Sequence, residues 1–340
     1  MTTARPEAYV LAGPTATGKT AVAHLLAADL NAVILSADAM LVYRGMDIGT
    51  AKPTAAERAR FGYGGLDLVE PGASFDVAAW LEHAKHFLAQ ARASGKAVIV
   101  VGGTGLYVKC LLTGLTAQPD ADPEWRAAAA KLNLAELQAH LQKLDAARFA
   151  AMTESDQQNP RRLIRAVEIS RSAKHRSNGV MEYWSNGERP PKTILPTSAN
   201  TDKPSSQYSN TPILQHSIIP GLALPPPVLA QRIQARVAAM FAQGLLDEAQ
   251  KLREKFPQLS ATAQQAIGYA EAFAVLDGRC TAAEAQEKIC ARTRQLAKRQ
   301  VTWFKHQASV AWVAAEAPVA EVAARVRQLW SQHGPTPLAY

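Results

Sequence analysis

The stretch VLAGPTATGKTAVAHLL, residues 10–26, decides the fold. An apolar run, a glycine-bounded loop and a segment with leucine and alanine at helical spacing follow one another, which reads as strand, loop and helix. Inside it, Gly13-x-x-x-x-Gly18-Lys19-Thr20 has the spacing of a P-loop, whose backbone N–H groups and helix N-terminus surround an anion while the lysine adds a mobile positive charge. The anion-binding residues are then Gly13, Pro14, Thr15, Ala16, Thr17, Gly18, Lys19 and Thr20. The Thr20 hydroxyl suits a magnesium ion, Mg2+, that bridges phosphates. The competing reading is a glycine turn beside a solvated lysine.

Outward from this stretch, short apolar runs alternate with helical segments as far as Leu115: AVILS at 32–36, a helix near 76–93, and AVIVVGG at 97–103. Such alternation predicts an α/β fold, a P-loop parallel sheet covered on both faces, with ligands beyond the carboxyl ends of the strands. The P-loop, Asp38 after the second strand, and Gly102-Gly103-Thr104 after another should converge on one crevice. Residues 1–115 are thus the first part of the core, and 116–215 a helical insertion. Within the insertion Pro123 to Ala151 is helical and alanine-rich, and a helix restarts at Asn159-Pro160, a capping residue followed by proline at the first helical position. From Ser172 to Pro227 the chain is rich in Ser, Asn, Thr and Pro and reads as a flexible connection. Helical periodicity returns at Val228, so residues 216–330 return to the core as helices and 331–340 form a tail.

Composition narrows the class. A chain of 340 residues that is 48% apolar can bury a large core. Its 37 Lys and Arg against 29 Asp and Glu favour a polyanionic partner if the charges cluster. Cys110, Cys280 and Cys290 are odd in number and far apart, which fits neither a disulfide framework nor a metal pair and points to the cytoplasm. No apolar run of about 18 residues is present, so no membrane partner is expected.

Two kinds of residue bear on the ligand. Many P-loop NTPases end a further strand on an acid that holds magnesium, but here AVIVV runs into Gly102-Gly103-Thr104, which weakens the NTPase reading. Asp38 at the crevice mouth can serve as a base for an attacking acceptor, or as a cap or a magnesium ligand through water. In ARTRQLAKRQVTWFK (291–305) a helix places Arg292, Arg294, Lys298, Arg299 and Lys305 on one half and Leu296, Val301, Trp303 and Phe304 on the other. These cations, with no acid among them, form an anion-facing stripe or a solvated face. Arg161, Arg162 and Arg165 cluster at the start of the Pro160 helix, where the helix dipole gives cations no stability and a phosphate backbone would explain them.

Several strings together closely resemble the tRNA dimethylallyltransferases, also called tRNA isopentenyltransferases. They are GPTATGKT, SADAMLVYRGMDIGTAKP (36–53), VGGTGLYVKCLLTGL (101–115), NPRRLIRAVEI (159–169), QRIQARVAAMFAQGLLDEA (231–249), AIGYAEA (266–272) and TRQLAKRQVTWFK (293–305). The resemblance implies that the anion is the diphosphate of dimethylallyl diphosphate and that the five-carbon group passes to N6 of adenosine 37 in tRNA. It implies Asp38 as general base, Thr104 and Arg236 on the diphosphate, and Mg2+ on Thr20. It also implies tRNA contacts at Asp38, Ala39, Met40 and Leu41; at Arg161, Arg162, Leu163, Ile164 and Arg165; at Gln264, Gln265, Ala266, Ile267, Gly268 and Tyr269; and at Lys298, Arg299, Gln300, Val301, Thr302, Trp303, Phe304 and Lys305. It implies as partners tRNA, through its anticodon stem-loop, and the prenyl donor, and the protein is expected to work as a monomer. Ala39 stands where the family usually has serine, Gly64-Gly65 where a histidine is common, and Ala270 where a basic residue is frequent. A nucleotide prenyltransferase, a P-loop NTPase or kinase, and a non-catalytic RNA-binding module are the alternatives.

Overall fold

A computed structural model describes residues 6–115, 119, 121–185 and 218–340. Contacts divide the chain into two units, Met1–Leu115 with Thr211–Tyr340, and Thr116–Asn210. The first begins with β1 (Glu7–Ala12), α1 (Lys19–Leu30), β2 (Ala32–Ser36), α2 (Ala55–Phe61), β3 (Tyr63–Gly64), α3 (Val77–Ala93), β4 (Ala97–Gly102) and α4 (Gly105–Thr113). The second holds α5 (Pro123–Ala129), α6 (Leu134–Leu144), α7 (Ala146–Ala151), α8 (Glu154–Gln157) and α9 (Pro160–Ser185). The first unit resumes with β5 (Ile219–Ala223), α10 (Pro226–Ala242), α11 (Leu245–Lys255), a 3-10 turn at Ala263–Gln265, α12 (Tyr269–Leu276), α13 (Ala282–Gln307), β6 (Val310–Ala314), α14 (Val319–His333) and β7 (Thr336–Pro337).

The strands form one sheet in the order β3-β2-β4-β1-β5-β6, all parallel, with β7 antiparallel on the start of β1. Successive side chains of a strand point to opposite faces, so the apolar runs cover both sides. Val10, Ala12, Val33, Leu35, Val98 and Val100 pack with Trp80 of α3, Leu111 of α4 and Phe304 of α13. Leu11, Ile34 and Ile99 pack with Val22 and Leu26 of α1 and with Val326 and Trp330 of α14. Capping boxes start α2 at Thr54 and α13 at Thr281, each hydroxyl accepting the N–H of a glutamate three residues on.

The insertion has its own core of Trp125, Leu137, Leu141, Leu163 and Val167. Asn159 caps α9 as its sequence suggests, its Oδ1 accepting the Arg161 N–H at 3.1 Å, with Pro160 first in the helix.

Three expectations need correction. The Ser/Pro-rich reading of 172–227 fails at both ends: α9 extends to Ser185, and Ile219–Ala223 is a buried strand between β1 and β6. Residues 186–217 lie outside the described residues. The return to the core is not helical alone, because β5 and β6 complete the sheet. The last ten residues, set apart as a tail, are part of the first unit: Thr336 and Pro337 pair with β1, and Leu338 is buried and donates its N–H to Pro6 O at 2.8 Å.

Candidate active site

The loops leaving β1, β2 and β4 meet around a cavity of about 430 Å³ within the first unit. Thr15, Ala16, Gly18, Lys19 and Thr20 line it from the P-loop, Asp38 from β2, Gly102 and Gly103 from β4, and Arg232 and Arg236 from α10. The loop conformation has clear causes. Gly13 has φ +137°, and a Cβ there would sit 2.7 Å from the carbonyl oxygen of Leu222 in β5, so no other residue fits. The Thr17 hydroxyl donates to Pro14 O at 2.9 Å and ties the loop to itself. Helix α1 then starts at Lys19, and its unpaired N–H groups give the cavity a positive end.

The charges around this cavity are of opposed sign. Lys19 Nζ donates to Pro14 O at 2.7 Å, and desolvation draws its pKa down to about 8; Asp38 opposes that shift and Arg236 adds to it. Desolvation likewise lowers the pKa of Arg236, against the pull of Asp38. Arg236 donates to the Thr15 hydroxyl and to Thr50 O, each at 3.2 Å. Asp38 is thus the carboxylate lining a cavity whose other charged walls are cations. Its Oδ1 accepts the Met40 N–H at 2.9 Å, which fixes the turn without starting a helix, so the helix-cap reading does not hold.

Thr104 sits beside this turn rather than on the cavity wall. Its hydroxyl oxygen accepts the Ala39 N–H at 3.1 Å, and its own N–H donates to Ala37 O at 3.2 Å. It therefore binds the β4 loop to the loop carrying Asp38. Ala39, Met40 and Leu41 follow, all half-buried.

A further support was not legible in the sequence. Glu248 of α11 accepts the backbone N–H groups of Asp47 at 3.0 Å, Ile48 at 2.8 Å and Gly49 at 3.1 Å, and the Tyr269 hydroxyl at 2.6 Å. One carboxylate thereby shapes the loop that brings Thr50, Ala51 and Pro53 to the cavity. Lys52 is buried and donates to Asp47 at 2.8 Å and Asp67 at 2.6 Å, so the lysine of the DIGTAKP string is structural. Arg232 was also missed, although its spacing four residues before Arg236 on α10 puts both on one face.

The segment 264–269 divides by burial. Gln264 and Gln265 are exposed, Ile267 is half-buried, and Ala266, Gly268 and Tyr269 are buried, so the phenol serves Glu248. On α13 the stripe is narrower than the sequence suggests. Arg292 is paired with the buried Glu271, so it is not one of a set of cations without an acid. Arg294, Lys298, Arg299 and Lys305 are exposed, as is Thr302; Val301 and Trp303 are half-buried, and Phe304 is buried. Gln300 points inward to the P-loop.

In the insertion, Leu163 is buried and Ile164 O accepts the Trp125 indole N–H at 3.2 Å. Arg162 pairs with the buried Asp156, and Arg165 pairs with the buried Glu168 at 2.7 Å. These two carboxylates account for arginines that the sequence alone assigns to a phosphate backbone. Arg161 is exposed.

Among the described residues no group of three or more His, Cys, Asp or Glu could hold a metal ion. Thr20, which lies at the cavity beside Lys19, offers a hydroxyl oxygen of the kind a hard cation takes. No helix among the described residues is long and apolar enough to cross a membrane.

A family model described as IPP transferase matches residues 41–307. A tRNA dimethylallyltransferase of Anaeromyxobacter sp. (strain K) is 40% identical over 323 residues, covering 93% of this chain and 96% of that protein. One of Stenotrophomonas maltophilia (strain K279a) is 40% identical and covers 91% and 92%. The crystal structure of the full-length tRNA isopentenylpyrophosphate transferase of Bacillus halodurans superposes with a TM-score of 0.63 at 31% identity, over 97% of this chain and 98% of that one.

Proposed function

Because the chain belongs to the IPP transferase family, we propose that it transfers the dimethylallyl group of dimethylallyl diphosphate to N6 of adenosine 37 in tRNA. The observation that carries this reading is the position of Asp38, a carboxylate at a cavity whose other charged lining residues are Lys19, Arg232 and Arg236. A diphosphate suits the cations and the N-terminus of α1; a carboxylate beside it has no use for the anion and is placed for the acceptor.

An adenine amine is a weak nucleophile because its lone pair is delocalised into the ring. As N6 attacks the first carbon of the donor, the N–C bond forms and the C–O bond to diphosphate breaks. Asp38 takes the proton that N6 loses. The departing diphosphate gains charge, which Lys19, Arg236 and the P-loop N–H groups offset. A magnesium ion held by Thr20 would neutralise part of the same charge. Thr104 acts here by holding the Asp38 loop through Ala39. The target base must leave its stack to reach the cavity, and the exposed Arg294, Lys298, Arg299 and Lys305 suit the phosphates of the anticodon stem-loop. Arg161 and the exposed Gln264 and Gln265 are further candidates for that contact, and the cytoplasm is where the substrate resides.

Incubation of the protein with radiolabelled dimethylallyl diphosphate and either tRNA or AMP tests the assignment. Label is expected in tRNA at adenosine 37. Label in AMP alone, or tRNA retention without transfer, would overturn it.

A further inference from the structure

The side chain of Gln300 is a residue of the basic helix α13 that faces away from the basic side. Its Oε1 accepts the Thr15 N–H of the P-loop at 2.9 Å, and its Nε2 donates to Gly103 O of the β4 loop at 3.0 Å. A carboxamide has one end that only accepts and one that only donates, and both ends meet the matching backbone group. Gly103, and Gly105 at the start of α4, are explained by this approach of α13. A Cβ on Gly103 would lie 2.3 Å from Gln300 Nε2, and one on Gly105 would lie 2.1 Å from the Trp303 ring, one helical turn on.

We propose that Gln300 is a positioning residue for the diphosphate: from the cavity wall, its carboxamide clasps the P-loop and the β4 loop to α13 rather than gripping tRNA. The assignment rests on the function proposed above and gives Gln300 a different task from its neighbours Lys298 and Arg299, which are exposed on the same helix. The two bonds act on the backbone of the anion cradle, so their loss loosens the cradle and leaves the tRNA-facing surface intact. Inorganic pyrophosphate reads this effect without any prenyl group.

The test compares the full-length protein with Gln300→Met, which keeps the volume and removes both hydrogen bonds, and with Gly103→Ala, which expels the carboxamide from the other side. Pyrophosphate dissociation constants are measured by calorimetry at fixed pH and salt, and anticodon stem-loop affinity by filter binding. For Gln300→Met the pyrophosphate constant is expected to rise about tenfold, the scale of two neutral hydrogen bonds, with stem-loop affinity within about twofold. Gly103→Ala should act in the same direction, because its Cβ displaces the carboxamide and also lies 3.1 Å from Gly13 O of the P-loop. If Gln300→Met does not fold, Gln300→Glu, which keeps the acceptor for the Thr15 N–H and loses the donor to Gly103 O, carries the comparison. Weakened stem-loop binding with pyrophosphate affinity intact would make Gln300 a tRNA contact and overturn the proposal, as would an unchanged pyrophosphate constant in Gln300→Met. A wild-type protein that fails to prenylate tRNA while these pyrophosphate effects hold would overturn the proposed function and leave the clasp standing.

Discussion

Arg236 donates to the Thr15 hydroxyl at 3.2 Å, so a cation of α10 grips the loop that cradles the anion. The same guanidinium reaches Thr50 O at 3.2 Å and joins two walls of the cavity. Lysine keeps the charge but cannot make both bonds from one planar group. Arg236→Lys is therefore expected to lower the transfer rate by about 10²-fold, the scale of losing one donor to a developing oxyanion. Single-turnover transfer to tRNA measures it; an unchanged rate would remove Arg236 from the leaving-group site.

Glu248 collects three backbone N–H groups and one phenol. Tyr269→Phe removes one hydrogen bond to the Glu248 carboxylate and is expected to cost about 2 kcal/mol in urea unfolding. Glu248→Ala should cost more, because it strands the N–H groups of Asp47, Ile48 and Gly49. It should also raise the donor KM, since the loop they belong to carries Thr50 to the cavity. A stable Glu248→Ala protein with a normal donor KM would contradict this account of the loop.

The lowered pKa of Lys19, about 8, gives donor binding a pH dependence of defined sign. Only the protonated amine attracts the diphosphate, and the bound anion favours that form, so affinity is greatest at low pH. It is expected to be level below pH 8 and to fall as pH rises through 8 and beyond. Titration calorimetry with dimethylallyl diphosphate and no tRNA, from pH 6.5 to 9.5, follows it. In Lys19→Arg the decline should vanish, because arginine stays charged over this range. An affinity independent of pH in the wild type would place the ammonium elsewhere.

Two arginines on α13 should behave differently. Arg299 is exposed, so Arg299→Ala is expected to weaken tRNA binding and reduce the salt slope by about one unit, leaving donor affinity intact. Arg292 is engaged with the buried Glu271, so Arg292→Ala should instead lower the unfolding midpoint, because it leaves a buried carboxylate without its partner. Binding as a function of salt, beside thermal unfolding, separates the two. Equal salt slopes for Arg299→Ala and wild type would make that face plain solvated surface.

Legibility followed the range of the interactions. The P-loop, AVILS and AVIVV are contiguous strings in which residue type and period agree, and β1, α1, β2 and β4 fall on them. IPGLA escaped notice because its glycine and proline oppose strand propensity and a Ser/Pro-rich run precedes it, yet β5 is held by β1 and β6 on either side. The short tail strand β7 depends in the same way on a partner far back in the chain. In the site, Lys19 and Asp38 carry a chemical signature of their own and could be singled out, whereas Arg236 entered only through the family resemblance. Glu248 and Gln300 act on backbone groups some 200 and 285 residues away, and no local pattern announces such a partner. The Arg292–Glu271 pair is hidden for the same reason.

The central claim is that Asp38 removes the proton from the attacking amine, and single-turnover transfer by Asp38→Asn tests it most directly. The amide keeps the size of the side chain and removes the base, and it also takes a negative charge away from Lys19 and Arg236. Transfer is expected to fall by about 10³-fold or more, within the range or above that of a positioned base, with tRNA affinity retained and donor affinity equal or higher. Turnover within a few-fold of wild type, with both substrates bound, would contradict it.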